Sequence, residues 1–132
     1  MTAIRRYASD EVAVLKPLVY DLHEAVRRLE PTMPPAEMII DGYLDHIVRM
    51  SVETAGAIYV AEDDGRVVGY CCLFGLVSSP APDEYPDQFS FISDLYVIPD
   101  YQGQGIGAQL LDAAVAHAQQ IGAKKVELAV VA

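Results

Sequence analysis

Basic residues are scarce. Nine Lys and Arg stand against nineteen Asp and Glu in a chain of 132 residues, a formal net charge of −10. That balance argues against a nucleic-acid partner, since phosphate contacts need clustered cations. It suits a cationic small molecule better, beside the plain alternative that acidity keeps the chain soluble. Long apolar runs are missing too. A stretch such as "YCCLFGLV" falls far short of a membrane span, and the N-terminal "MTAIRRYASDE" has no apolar stretch of signal-peptide type. The expectation is a cytoplasmic protein with no membrane partner. Cysteine is limited to the adjacent pair Cys71 and Cys72. Neighbours on a strand point to opposite faces, which disfavours a mutual disulfide, and the pair lacks the spacing of a metal knuckle or redox motif. Both residues read as small buried hydrophobes.

What is present is the composition of a globular chain, 52 % hydrophobic and 21 % charged. At this length it makes one domain, residues 1–132, burying about two-thirds of its unfolded surface. "AIRRYA" suits a short strand. Ser9 offers an N-cap, with Asp10 and Glu11 in the first turn, to a helix carrying Leu15, Leu18, Val19, Leu22, Val26 and Leu29. Pro17 should bend that helix or mark a late start. A second helix, about 36–52, carries Ile40, Tyr43, Leu44, Ile47 and Val48 on one stripe. Then the period changes. "AIYVAE" and "VVGYCCLFGLV" flank "DDGR", an Asp-Gly hairpin turn. "SSPAPDEYPDQ" is a loop. "FSFISDLYVI" is a further strand, with Phe89, Phe91, Ser93, Leu95 and Val97 on one face and Ser90, Ile92, Asp94, Tyr96 and Ile98 on the other. Both faces are largely apolar, so it should be covered on both sides. A helix from near Ala108 stops at Gly122, and "KKVELAVVA" is a last strand. The order is βααβββαβ, its final strand–helix–strand unit expected to place two strands parallel.

Gly103, Gly105 and Gly107 lie between strand and helix. The first N–H groups of a helix lack partners and point outward with partial positive charge, so bare backbone there suits a phosphate or diphosphate. An acidic chain can thus hold an anion without Lys or Arg. A Walker loop fails, since "GIGAQ" has no Lys-Ser/Thr at the helix start. A dinucleotide fingerprint fits Gly103, Gly105 and Ala108, with Glu127 placed for a ribose, but no doubly wound sheet follows. The pattern Q/R-x-x-G-x-G/A fits Gln102, Gly105 and Gly107.

The whole string "DLYVIPDYQGQGIGAQLL" resembles the GNAT superfamily of N-acetyltransferases, and the element order follows that family backward along the chain. The resemblance implies an α+β fold, a mixed, mostly antiparallel sheet with helices on both faces. It implies acetyl-CoA as cofactor, and acetyl transfer to an amine, here a small-molecule acceptor. Carried over, the amides of Gln102, Gly103, Gln104, Gly105, Ile106, Gly107 and Ala108 would take the diphosphate. The backbone of Leu95, Tyr96 and Val97 would hold the pantetheine arm. Asp94 is the candidate base, amine-binding anion or structural acceptor; Ser93 or a water chain could serve instead. The acids Asp83, Glu84 and Asp87 could draw in a cationic acceptor. His46 sits near the family's acceptor region, while His23 and His117 read as surface. Family members continue past the strand at Lys124 with another helix and two strands, including a Tyr that protonates the departing thiolate. This chain ends at Ala132. Tyr96 or Tyr101 could substitute as acid, and the exposed strand edge suggests a homodimer. Two alternatives stand beside the enzyme: a non-catalytic CoA-binding or dimerising remnant, and a dinucleotide-binding module.

Overall fold

The computed structural model describes residues 2–79 and 87–128. Its elements are β1 (Thr2–Arg6), α1 (Val12–Leu29), α2 (Ala36–Glu53), β2 (Ala57–Asp63), β3 (Arg66–Val77), β4 (Phe89–Val97), α3 (Ile106–Gln120) and β5 (Val126–Leu128), with a short 3-10 turn at Pro99–Tyr101. The strands form one sheet in the order β1-β2-β3-β4-β5. Every pairing is antiparallel except β4 with β5, which is parallel, as the α3 crossover requires. The hairpin turns at Asp64 and Gly65, whose φ values of 50° and 78° suit a turn that continues the strand twist.

Two hydrophobic layers cover the sheet. Leu15, Leu18 and Val19 from α1 and Ile40, Leu44 and Ile47 from α2 pack on Ile58, Val60, Tyr70 and Cys72. On the other face, Ile106, Leu110, Ala114 and Ala118 of α3 pack on Ala61, Val68, Cys71, Leu73 and Ile92. Adjacent Cys71 and Cys72 therefore enter opposite layers, both free and buried. Fully burying a Leu or Ile side chain contributes roughly 1.5–3 kcal/mol, so Leu15, Ile47 and Leu110, all 0 % exposed, are principal anchors of helix to sheet. α3 closes with a Schellman arrangement. Ala123 N–H donates to Ala118 O and Gly122 N–H to Gln119 O, with Gly122 at φ 87°.

Four expectations need correction. α1 begins at Val12 without a side-chain cap. Arg5 draws the Glu11 carboxylate away, through bonds of 2.8 and 2.7 Å, and the same carboxylate accepts the Ala8 N–H. Pro17 marks no late start: it lies inside α1 on its exposed side, and Ala13, whose carbonyl loses its helical donor, is exposed as well. α3 begins at Ile106, so Gly107 and Ala108 belong to its first turn. The β4 faces do not alternate throughout. Cys72 pairs with Asp94 and Leu73 with Ile92, which leaves Ser93 as a bulge. The extra residue resets the side-chain period. Phe91 joins Tyr96 under α1 and α2, while Ile92 joins Leu95 and Val97 under α3.

Candidate active site

β4 ends against the mouth of α3, and Gln102 ties the two together. Its side-chain Nε2 donates to Val97 O at 2.8 Å, and its N–H donates to Pro99 O at 3.2 Å. That second bond removes the Gln102 amide from the set available to an anion. The next six differ. Among the described residues, the N–H groups of Gly103, Gln104, Gly105, Ile106, Gly107 and Ala108 find no protein acceptor; regular bonding resumes with Gln109 N–H to Gly105 O. Gly103 and Gly105 have φ of 80° and 81°, and a Cβ at either would meet nothing within 4 Å. Left-handed backbone at these two positions turns successive amides toward one side, and the helix end adds its dipole. The site is a cradle of unbonded donors with open space above it. A diphosphate fits that cradle by chemistry and by room.

Beside the cradle runs the C-terminal half of β4. The described part of β5 pairs with Ser90, Phe91 and Ile92 of β4, and from Ser93 onward the only described partner of β4 is β3.

Asp94 lies at the bulge and is 3 % exposed. Tyr43 of α2 donates to its Oδ1 and Tyr70 of β3 to its Oδ2, each at 2.7 Å. Burial first, then the negative charge of Asp94, pushes both phenols well above their ordinary value, so both stay protonated donors. Among the described residues no Lys, Arg or His forms an ion pair with Asp94. A buried carboxylate without a countercharge is costly, and a cationic ligand would supply one. Next to it, the Ser93 Oγ is buried, with the Cys72 thiol as its polar neighbour. Burial pushes the Cys71 thiol up to about 12 and raises the Cys72 thiol also, so neither is a ready nucleophile.

Asp94, Tyr43, Ser93 and Leu95 line a cleft of about 650 Å³ between the α1–α2 pair and the β4–β5 edge. His23, expected on the surface, lines it as well, with Nε2 2.8 Å from Pro34 O. His46 is exposed and packs edge-on against Phe74, outside the cleft lining. His117 is half-buried, its Nε2 2.9 Å from Ala55 O. Tyr101 donates to Asp63 at 2.8 Å. Asp83 and Glu84 lie outside the described residues, and Asp87 is exposed. The sequence placed Tyr43 on the apolar stripe of α2 and left Tyr70 unremarked within an apolar strand. A lone acid on an apolar strand was the available signal that hydroxyl donors had to converge on it.

A run of unbonded amides at the mouth of a helix, beside a central strand that carries a buried carboxylate, is the arrangement of a site for a phosphate-bearing ligand. Residues 19–132 match the model of the Acetyltransferase (GNAT) family, and the chain belongs to that family. It is an N-acetyltransferase, an enzyme class that moves an acetyl group to an amine. An uncharacterized N-acetyltransferase of Bacillus subtilis, YhfO, is 27 % identical over 121 residues, covering 92 % of this chain and 73 % of the relative. A GCN5-related N-acetyltransferase from Ralstonia eutropha shares the fold with a TM-score of 0.75 at 21 % identity, covering 99 % of this chain and 84 % of that one. A protein from Clostridium acetobutylicum described as a predicted acetyltransferase, solved with acetyl-CoA, gives a TM-score of 0.74 at 15 % identity, with 99 % and 82 % covered.

Proposed function

We propose that this chain acetylates a small-molecule amine with acetyl-CoA as donor. The observation that carries the reading is the run of six unbonded amides at Gly103–Ala108, tied to the end of β4 through Gln102 and Val97 O. Those amides would hold the diphosphate, and the backbone of Leu95, Tyr96 and Val97 the pantetheine arm. The bound coenzyme supplies the acetyl group as a thioester. Asp94 supplies the negative charge that draws the acceptor ammonium to the floor of the cleft. Tyr43 already donates to Asp94 Oδ1. Its hydroxyl oxygen accepts a proton from the ammonium while its own proton passes to the carboxylate, which leaves the amine neutral for attack. Neither phenol needs to ionise on the way. Holding amine and thioester together contributes the larger share of the acceleration, and the base about 10²–10⁴-fold. The cleft volume favours a small molecule over a protein tail.

A second reading of Asp94 has its own support. Both its oxygens are occupied by tyrosines, which is the pattern of a structural acceptor. Asp94→Asn separates the two. The catalytic reading expects kcat/KM for the amine to fall about 100-fold, with acetyl-CoA affinity unchanged by calorimetry. Thiol release from acetyl-CoA across an amine panel is the assay. Full activity in Asp94→Asn would remove Asp94 from the mechanism, and no thiol release with any amine would remove the transferase proposal.

A further inference from the structure

The acceptor cleft is apolar almost throughout. Leu22, Val26 and Leu29 of α1, Met33 of the following turn, Ile39 of α2 and Leu95 of β4 form its walls. Asp94 is its single acidic lining residue among those described, and it lies at the floor. Two large side chains at the mouth remain well exposed, Leu29 at 60 % and Leu128 at 44 %. This is apolar surface facing a cavity of a size suited to a drug-sized ligand. Beside Asp94 the polar side chains of the lining are only Tyr43, Ser93 and His23, so a polyamine or an amino sugar would bring most of its further charges or hydroxyls against apolar walls, where each loses hydration with little compensation. One ammonium and an apolar body match what the walls offer.

Resting on the acetyl-transfer reading above, we infer that the acceptor is a monoamine with an alkyl or aryl body, its ammonium at Asp94 and its body against Leu22, Val26 and Ile39. Each methylene buried in such a cleft should improve kcat/KM about fourfold at full burial, and about twofold where it stays half in water.

The test is acetylation of n-alkylamines from butyl to octyl and of 2-phenylethylamine, against putrescine and spermidine, read by thiol release. The expected result is a rise of two- to fourfold per methylene until the chain outgrows the cleft, with spermidine below 2-phenylethylamine. A flat series, or a preference for the polyamine, overturns the inference while leaving the transferase intact. If no amine is acetylated, the transferase reading fails. Calorimetry of octylamine and spermidine on the CoA-saturated protein then decides the inference alone, and tighter octylamine binding sustains it. Val26→Asp should cost octylamine at least tenfold and favour spermidine, with retained acetyl-CoA affinity as the control for folding. Unchanged preference in that variant counts against the assignment. A cleft closed instead by a second copy would appear as a dimer that Leu29→Glu dissociates, and this too would overturn it.

Discussion

Replacing Gly105 by Ala tests the cradle where the backbone is left-handed at the start of α3. Gly105 caps α3 at φ 81°, ψ 7°. A residue with a Cβ pays about 1–2 kcal/mol to hold that left-handed conformation. No atom lies within 4 Å of the added carbon, so no clash adds to the strain. For a domain of this size the loss corresponds to a fall in Tm of roughly 4–8 °C. The protein should remain folded. The new methyl, however, occupies the open side from which an anion approaches the amides. Losing one charge-assisted hydrogen bond costs about 1.5–3 kcal/mol, or roughly ten- to a hundredfold in Kd. Gly107→Ala is the matched control. Gly107 sits within α3, has no left-handed φ, and its added Cβ would meet only Val97 Cγ2, at 3.9 Å. Alanine there should stabilise the helix by about 0.5–1 kcal/mol. The motif G/A admits alanine at this position, so acetyl-CoA affinity should stay within about threefold, roughly 0.6 kcal/mol. Far-UV circular dichroism melts and calorimetry with acetyl-CoA read both quantities. A Gly105→Ala protein that melts lower as expected yet binds acetyl-CoA as tightly as the parent would refute the placement of the diphosphate.

Tyr70→Phe removes a donor from Asp94 Oδ2 in a fully buried setting; denaturant unfolding should show a loss of about 1–3 kcal/mol, and a change within error would show that water or relaxation replaces the bond. Glu11 is held at about 2, below its usual 4.5, chiefly by its hydrogen bonds from Arg5 and then the Ala8 N–H. Its stabilisation is therefore present above about pH 4.5 and lost as pH falls toward 2. Glu11→Gln should cost about 1 kcal/mol near neutrality, a solvent-screened value, and nothing near pH 2; a difference that grows on acidification contradicts the assignment. Cys71 and Cys72 should resist a thiol reagent at pH 8 in the native protein and react once denaturant exposes them, since burial keeps both protonated. Rapid native reaction at either would show that its layer opens.

Local chemistry was legible in the sequence because it depends on residues close along the chain. The Asp64-Gly65 turn, the α2 stripe, the stop at Gly122 and the glycine mouth of α3 all require particular backbone conformations or periods within a few positions. The order of elements followed from the same signals. Gln102 matched a motif, and its bond to Val97 O gives that match a physical reason.

The tertiary structure decided the rest. Whether β4 alternates cleanly depends on its pairing with β3, and the bulge at Ser93 arises from that register, which no local pattern records. The surroundings of Asp94 come from Tyr43, 51 positions away in sequence, and Tyr70, 24 away. Arg5 reaches Glu11 and Glu62 together, a pairing across three segments that no local pattern records. The cleft exists only where two helices meet β4 and Leu128 of β5. Short-range preferences specify conformations; a carboxylate's partners, a bulge and a cavity are set by which distant segments pack side by side.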